Sequence, residues 1–555
     1  HPSDTIKVGG LAFDDTDVYK TIEGASYLLQ TYPDKKLAKY IDSVLVIVAA
    51  AQEPDGYLYT SRTMNPKHPH EWAGSKRWEK VEELSHEFYN LGHMVEGAIA
   101  HYQATGKRNF LDIAIRYADC VCREIGSGPG QQVRVPGHQI AEMALAKLYL
   151  VTGQQKYLDQ AKFFLDQRGH TSRTDEYSQA HKPVTEQDEA VGHAVRAAYM
   201  YAGMADVAAL TGDSAYIHAI DRIWDNIVGK KYYITGGIGA TSNGEAFGKN
   251  YELPNMSAYC ETCAAIGNVY VNYRLFLLHG ESKYYDVLER TLYNGLISGV
   301  SLDGGGFFYP NPLESIGQHQ RQPWFGCACC PSNICRFIPS LPGYIYAVKD
   351  KDVYVNLFMS NTSDLKVGGK AVSIEQTTQY PWNGDITIGI NKNRSEYKGT
   401  DIMLKAAQDI AEKYPEKVEL RIAESVPFAE YIEMMNGSDA ILDQLYSYTP
   451  SMNPLEAMAR GIICIGGTDG QDALTSVYKI RWDEKSEKNG KNKKKGKVVI
   501  ETLPALPYAL DNMCGTLIGE QLFIAGGNRN GKPSNSFLRL DLTNLSVGWH
   551  ELPEY

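Results

Sequence analysis

The sequence predicts a mainly α-helical protein in which an (α/α)6 toroid is followed by a β-sandwich. Three observations support this fold class. One helical-hairpin plan repeats from about residue 16 to 300, a Thr-Gly or similar pair breaks most copies, and alternating strand patterns begin only near residue 350. A single hairpin cannot bury its own apolar face, so the copies should stack, and a closed ring of about six encloses a central cavity.

Composition excludes several classes of protein. The chain has 555 residues, of which 43% are hydrophobic and 22% charged, as expected of a soluble globular protein. It contains no apolar run of about eighteen residues, so we expect no membrane span. The net charge of -11 argues against a nucleic-acid partner. His1 in place of Met suggests a processed or truncated start. The sequence leaves open a periplasmic or a cytoplasmic location, and a homo-oligomer is possible.

Four copies of the hairpin can be read directly. They span residues 92–117, 137–164, 192–223 and 263–292. In a toroid of this kind, the residue that opens each inner helix should face the cavity. Three copies open with a histidine, namely His93, His138 and His193, and the fourth opens with Cys263. One such histidine would usually be a cap or a buried side chain. Three in register predict a polar lining that binds sugar hydroxyls, and the 37 tyrosines suit stacking on sugar faces.

The cysteines are concentrated in two short motifs. Five of the ten fall at positions 260, 263, 327, 329 and 330, which favours a metal site over disulfide bonds. Glu261-Thr262-Cys263 and Cys327-Ala328-Cys329-Cys330 together offer more ligands than a four-coordinate zinc ion needs. A thiolate that binds zinc is also a nucleophile, so the cluster could be structural or catalytic. We expect Cys327 to have a neighbouring structural role and Cys335 to lie in the core.

Glu245 follows a glycine-rich turn at residues 235–240 and precedes the Glu261 motif. The turn predicts that Glu245 lies on a loop near the cavity. Taken alone, this glutamate fits a solvated surface loop equally well.

These motifs, with Leu253-Pro254-Asn255, Phe308-Tyr309 and Trp324 to Pro331, resemble glycoside hydrolase family 127, whose founding activity is β-L-arabinofuranosidase. The resemblance runs from about Phe13 to about Ile390. It implies a zinc ion held by four residues: Glu261, Cys263, Cys329 and Cys330. It also implies that Cys329 is the nucleophile and Glu245 the general acid/base of a retaining hydrolase acting on a plant glycan or related oligosaccharide. The implied sugar contacts are His93, His138, His193 and Tyr309.

We expect two domains: a catalytic toroid over residues 1–340 and a β-rich accessory region over 341–555. After about residue 393 the sequence departs from the family pattern. Residues 439–461 resemble part of a retaining glycosyltransferase, and residues 522–549 resemble a single kelch blade. Neither fragment is complete, which favours a composite sequence over a genuine fusion.

Two other functions fit the same residues. In a toroid sugar epimerase, His93, His138 and His193 would be acid/base catalysts and the cysteines structural. In a carbohydrate-binding protein, the zinc would only stabilise the toroid. Replacement of Cys329 by Ser separates these cases, because only the thiolate hydrolase should lose turnover while keeping its fold.

Overall fold

The structure is a computed structural model of the 555-residue chain. It describes residues 3–380 continuously. Beyond them it describes residues 386–391, 400–427, 430–431, 433–434, 438, 440–442, 463–465, 475, 477–483, 497–510, 514–518, 520–525, 528–529 and 532–552. The chain divides into two compact units, and the boundary along the sequence falls between Thr378 and Gln379. In the part of the chain described, no helix has the length and apolar character needed to cross a bilayer.

Six inner helices of the first unit form a closed ring in which each helix packs against the next and the last returns to the first. They are α1 (Asp15–Thr31), α4 (Glu87–Thr105), α6 (Ala141–Thr152), α8 (Ala194–Thr211), α10 (Thr262–His279) and α12 (Cys329–Phe337). Helices α4, α8 and α10 are buried on nearly every face, as a helix enclosed between a cavity and an outer layer must be. The toroid prediction is confirmed.

The outer layer consists of amphipathic helices, each joined to its inner partner by a short connection. They are α2 (Lys35–Ala51), α5 (Asn109–Glu124), α7 (Gln155–Gln167), α9 (Ser214–Asn226) and α11 (Ser282–Arg290). In α5, the buried Phe110, Ile113, Ala114 and Tyr117 recur at the spacing that puts them on one face. Two helices of a single turn, α3 (Thr60–Thr63) and α13 (Pro342–Ile345), complete this unit.

Glycines end four of the inner helices. Gly106, Gly153, Gly212 and Gly280 have φ values of 70°, 69°, 69° and 75°, in the left-handed region that favours glycine. The N–H of each glycine donates to the carbonyl four residues earlier, which satisfies one of the orphan acceptors at the helix end. The breaks read from the Thr-Gly and His-Gly pairs are confirmed.

The first unit ends in two antiparallel hairpins. Strands β1 (Tyr346–Lys349) and β2 (Asp352–Val355) form one, and β3 (Asn361–Val367) and β4 (Lys370–Gln376) form the other. Strand structure therefore begins close to residue 350, as the alternating pattern predicted.

The second unit begins with a parallel sheet. Strands β5 (Ile386–Asn391), β6 (Val418–Ala423) and β7 (Ala440–Leu442) lie in the order β6-β5-β7, with helix α14 (Thr400–Lys413) between the first two along the chain. A helix between two parallel strands is the usual way to connect them in one sheet. Of the stretch at residues 439–461 that resembles part of a glycosyltransferase, only Ala440–Leu442 lies within the described residues.

Antiparallel sheets follow. One has three strands, β8 (Ile463–Ile465), β9 (Val477–Asp483) and β10 (Lys497–Leu503). Another has four, β11 (Cys514–Ile518), β12 (Gln521–Ala525), β15 (Phe537–Asp541) and β16 (Trp549–Glu551), and β13 (Asn528–Arg529) pairs with β14 (Lys532–Pro533). The four-stranded sheet has the strand number of one propeller blade. The described strands of this region form sheets of two to four strands each. Val477 and Leu503 of the three-stranded sheet share one buried cluster with Leu522, Ile524, Leu538 and Leu540 of the four-stranded sheet.

Candidate active site

A cavity of about 480 Å³ opens in the first unit, where the N-terminal ends of inner helices converge. His138 precedes α6, His193 caps α8, Glu261 precedes α10, and Cys329 begins α12. Besides tyrosines, the polar side chains of the wall are three histidines, two glutamates, three cysteines and one arginine: His86, His138, His193, Glu245, Glu261, Cys263, Cys327, Cys329 and Arg196. Because helix N-termini carry partial positive charge, this end of the toroid suits carboxylates and thiolates.

The four residues expected to bind zinc lie together. The Sγ atoms of Cys263 and Cys330 are 3.3 Å apart, and Glu261 Oε1 lies 3.5 Å from Cys330 Sγ and 3.8 Å from Cys329 Sγ. One potential ligand atom from each residue falls within 4.8 Å of all the others. Two ligands come from α10 and its N-cap and two from the first turn of α12, so the ring closure between these helices assembles the cluster.

This donor set fits a zinc ion. Glu261 is 2% exposed, and its Oε2 atom has no hydrogen-bond partner among the described residues. Burial, together with the negative charge of Cys329 and Glu245, raises the pKa of Glu261 well above its usual value. A buried carboxylate without a cation or donor is costly, and a metal ion shared with three sulfur atoms would remove that cost.

The thiols of the cluster differ in acidity. Burial raises the pKa of Cys263, but hydrogen bonds from Cys329 and Cys330 outweigh it and bring the pKa down to about 6. Burial and the same shared hydrogen bonds raise the pKa of Cys330. The cluster therefore holds part of its negative charge even without a metal.

Glu245 lies in a short 3-10 turn, Asn243–Glu245, with a left-handed φ of 52°. Its Oε2 atom is 2.7 Å from Nε2 of His193, and its Oε1 atom is 2.7 Å from the hydroxyl of Tyr259. The Nδ1 atom of His193 accepts the N–H of Val195, so Nε2 carries the proton and donates to Glu245. Burial raises the pKa of Glu245, but the His193 and Tyr259 hydrogen bonds outweigh it and lower the pKa. Glu245 is thus an oriented cavity carboxylate and not a solvated surface residue.

Tyr309 covers the cysteine cluster. Its hydroxyl lies 2.8 Å from Cys329 Sγ and 3.8 Å from Cys327 Sγ. Burial and the negative charge of Glu261 and Cys329 raise the pKa of Tyr309, so it remains a protonated donor. Cys327 is half-buried on the cavity wall beside Cys329.

The structure brings two of the three predicted histidines into the cavity. His138 and His193 line it, with ring centroids 5.7 Å apart. His93 is fully buried, and its ring lies behind Tyr89 at a centroid distance of 4.5 Å. Its predicted place on the wall is wrong because α4 begins at Glu87, so His93 lies in the second turn of the helix.

His86, immediately before α4, takes the place on the wall that was expected of His93. Its backbone is left-handed, with φ of 59°, and its ring lies 5.9 Å from that of His138. Burial, together with the charge of Arg196, lowers the pKa of His86 to about 3, so its ring is neutral. Sequence reasoning missed it because its only signal is its position just before a helix whose start was placed too late.

Two tyrosines were also missed. Tyr259 holds Glu245, and Tyr89 accepts a hydrogen bond from the ammonium of Lys20 at 3.2 Å. Burial raises the pKa of Tyr89, and negative charge at Tyr199, Cys329 and Cys263 adds to this shift. In a chain with 37 tyrosines, no local pattern distinguishes these two. Cys335, expected in the core, is exposed on α12.

Comparison with known proteins identifies a family that this chain resembles along most of its length. The model of the β-L-arabinofuranosidase GH127 catalytic domain matches residues 1–343, and that of the GH127 middle domain matches residues 352–434. The family match therefore reaches beyond Ile390, where we expected it to end. The non-reducing end β-L-arabinofuranosidase of Bifidobacterium longum is 37% identical over 416 residues, which are 69% of this chain and 62% of that protein. This chain thus spans 62% of the length of that curated relative.

Solved structures with the same family description also resemble this chain. The GH127 β-arabinofuranosidase BT3674 is 58% identical with a TM-score of 0.69, and the match covers 97% of this chain and 76% of that one. A GH127 β-L-arabinofuranosidase from Geobacillus stearothermophilus T6 is 42% identical with a TM-score of 0.64, covering 68% of this chain and 63% of that one. Since the catalytic-domain model alone matches more than half of the residues, the chain belongs to glycoside hydrolase family 127.

Proposed function

We propose that this protein is a retaining glycoside hydrolase that releases terminal β-L-arabinofuranose from a glycan, with Cys329 as nucleophile and Glu245 as general acid/base. The observation that carries the proposal is the meeting of the two groups in one cavity. Glu261 connects them, since one of its oxygen atoms lies 3.8 Å from Cys329 and its carboxylate is within 4.8 Å of that of Glu245. A nucleophile and an acid on one sugar-sized site are what a double displacement requires.

In the first displacement, the sulfur atom of Cys329 attacks the anomeric carbon, and the bond from that carbon to the leaving oxygen breaks. Glu245 gives its proton to that oxygen. Entry of the sugar excludes water from Glu245, and burial is the influence that raises the pKa of this carboxyl, so binding favours the protonated acid. A thioglycoside on Cys329 results.

In the second displacement, the Glu245 carboxylate takes a proton from water as the water oxygen attacks the same carbon. The carbon–sulfur bond breaks and the thiolate of Cys329 is restored. Two inversions at one carbon retain the anomeric configuration. His193 and Tyr259 keep the carboxylate aimed through both steps, since each holds one of its oxygens at 2.7 Å.

Glu261, Cys263, Cys329 and Cys330 would hold the zinc ion. A bound zinc ion keeps thiols ionised at neutral pH and offsets their charge. Tyr309 acts on Cys329 independently of the metal. Its hydroxyl can donate a hydrogen bond to the sulfur atom and so holds that atom in position when the sugar binds.

Substrate contacts divide into two walls of the cavity. We assign His86 and His138 to the hydroxyls of the terminal sugar, since Nδ1 of each neutral ring donates to a backbone carbonyl and Nε2 is left as an acceptor. His193 lines the same wall, but both of its nitrogens are engaged, so it acts on the sugar through Glu245. We assign Phe13 and Trp72, which line the apolar wall, to the leaving-group unit, because aromatic faces stack on sugars. The epimerase alternative is weakened, since one of its three histidines, His93, has no exposed surface.

The test is hydrolysis of p-nitrophenyl β-L-arabinofuranoside by the wild type, Cys329→Ser and Cys335→Ser, with zinc content measured on each sample. Cys335 lies on the same helix but is exposed, so Cys335→Ser is the matched control. We expect Cys329→Ser to lose at least about 10³-fold in kcat while folded, and Cys335→Ser to keep its activity. NMR of the first-formed sugar should show the β anomer. Turnover by folded Cys329→Ser would exclude this nucleophile.

A further inference from the structure

Lys20 is a buried cation that takes no part in the proposed mechanism. It lies on the inner helix α1 and is 1% exposed. Its Nζ atom is 3.2 Å from the hydroxyl of Tyr89 and 5.4 Å from the centre of that ring. The carboxylate paired with it, Asp17, is 4.0 Å away and 35% exposed. Asp17 also accepts a hydrogen bond of 2.9 Å from the Ser332 hydroxyl, so it balances Lys20 only loosely.

The neighbouring ligand set carries an excess of negative charge. Three thiolates and one carboxylate bring four negative charges, and a zinc ion brings two positive ones, so two negative charges remain. Because Glu261, Cys263 and Cys330 are each at most 2% exposed, water cannot compensate them well. A nearby cation adds to the compensation that the helix N-termini give. Lys20 is close enough to act on this set, since its charge adds to the Cys329 and Cys330 hydrogen bonds that oppose burial and lower the pKa of Cys263.

Arg336 is a second buried cation nearby, but its charge is already engaged. Its NH1 atom lies 3.2 Å from Glu23, and its NH2 atom lies 3.0 Å from the hydroxyl of Tyr199. Arg196, a third buried cation, lines the cavity but donates to the Gly137 carbonyl and lies over the Tyr177 ring. Lys20 is therefore the buried cation better placed to offset the excess charge of the ligand set.

The contact with Lys20 also fixes the direction of the hydrogen bond at the Tyr89 hydroxyl. An ammonium group can only donate, so the oxygen of Tyr89 accepts from Lys20 and its own hydrogen must point elsewhere. Tyr89 lines the cavity together with Cys263 and Cys329. The Tyr89 hydroxyl is thus left to donate on the side away from Lys20.

We propose that Lys20 is a positioning residue for the metal–thiolate site, whose buried charge offsets the ligand set and whose hydrogen bond leaves the Tyr89 hydroxyl to donate on the side away from Lys20. This inference rests on the proposed zinc site. Asp17, one turn before Lys20 on α1, supports the same site. It accepts a hydrogen bond from Ser332 on α12, the helix that begins with Cys329.

The experiment measures zinc release from the full-length holoprotein to a chromogenic chelator in excess. The variants are Lys20→Met, Lys20→Gln and Lys20→Arg. The control is Lys231→Met, since Lys231 is also buried, at 4% exposed, but its ammonium lies 2.8 Å from the Glu189 carboxylate and it does not line the cavity. Thermal unfolding of each zinc-loaded and zinc-free sample gives a second readout.

We expect Lys20→Met and Lys20→Gln to release zinc at least ~10-fold faster than the wild type, as loss of a partner around a metal site usually does. Lys20→Arg keeps the charge and should stay within about 3-fold of the wild type. Lys231→Met should lower the Tm but leave the release rate unchanged. If Lys20→Met is too unstable to purify, the comparison of Lys20→Gln with Lys20→Arg decides the matter.

Zinc release from Lys20→Met and Lys20→Gln at the wild-type rate would overturn the inference, and so would equal acceleration in Lys231→Met. A wild type that binds zinc but does not hydrolyse the arabinoside would contradict only the proposed activity. A wild type that binds no zinc would overturn both the metal site and this role of Lys20.

Discussion

The hydroxyl of Tyr309 lies 2.8 Å from the sulfur atom of Cys329, on the cavity side of the cysteine cluster. The two residues are twenty positions apart, and the Tyr309 carbonyl accepts the N–H of Thr262 at the start of α10 at 3.0 Å, which holds Tyr309 beside the cluster. The contact gives the proposed nucleophile a donor that belongs to the protein and not to the metal. This single hydrogen bond can be removed without changing any proposed zinc ligand.

We predict that Tyr309→Phe lowers kcat/KM at least about tenfold, because a hydrogen bond to a charged group contributes about 1.5–3 kcal/mol. Zinc content should stay at the wild-type level, since Tyr309 is not a ligand. The measurement is steady-state hydrolysis with metal analysis of the same sample. Unchanged kcat/KM would mean that Tyr309 has no part in activating Cys329.

Glu245→Gln should lower kcat by about 10²–10⁴-fold on substrates with a poor leaving group, which need the proton most. On an activated aryl arabinofuranoside, the first step needs little acid, so a smaller loss is expected in the rate of aryl release. A pre-steady-state burst should then appear, because the thioglycoside lacks a base for its hydrolysis. Equal losses on both substrates would argue against an acid/base role.

His86→Ala and His93→Ala form a matched pair, since the two histidines are close together on the chain but only His86 lines the cavity. His86→Ala should raise KM or lower kcat/KM by about tenfold while leaving Tm nearly unchanged. His93→Ala should lower Tm through the space left in the core, with catalysis per folded molecule kept. The opposite pattern would restore His93 as the sugar contact.

Stability should depend on pH through the buried pair of Glu96 and Lys147, whose charged atoms are 2.7 Å apart. Burial raises the pKa of Glu96, but the Lys147 charge outweighs it, so the folded pKa is lowered below the usual value of 4.5. The pair therefore stabilises the fold above about pH 4.5, and this contribution disappears as the pH falls through the folded pKa.

Lys147→Met should cost about 3–5 kcal/mol of unfolding free energy at pH 7, because it leaves a buried carboxylate without a partner. The loss should be smaller at pH 4.5, where that carboxyl takes up a proton. Urea unfolding at both pH values measures this difference. The control is Arg108→Ala, which removes an exposed i,i+4 pair with Asp112 and should cost under about 1 kcal/mol at either pH. A pH-independent loss in Lys147→Met would show that Lys147 does not lower the pKa of Glu96.

Local patterns in the sequence were sufficient for the helical hairpins and for the ligand types. Apolar periodicity and Thr-Gly pairs locate α4 to α11, because a helix must cover an apolar stripe and a left-handed end requires glycine. The paired cysteine motifs indicate a metal for a similar reason, since clustered thiols and a carboxylate are costly unless a cation binds them.

The tertiary structure alone decided which side chains face the cavity. His93 and His86 are both histidines near one helix start, and only the true start at Glu87 shows that His93 turns into the core. Tyr89, Tyr259 and Lys20 carry no local signal, because their roles depend on partners 14 to 69 positions away in the chain. Residue type and spacing are local properties that sequence determines by itself, whereas direction and partnership arise only when the six inner helices close into a ring.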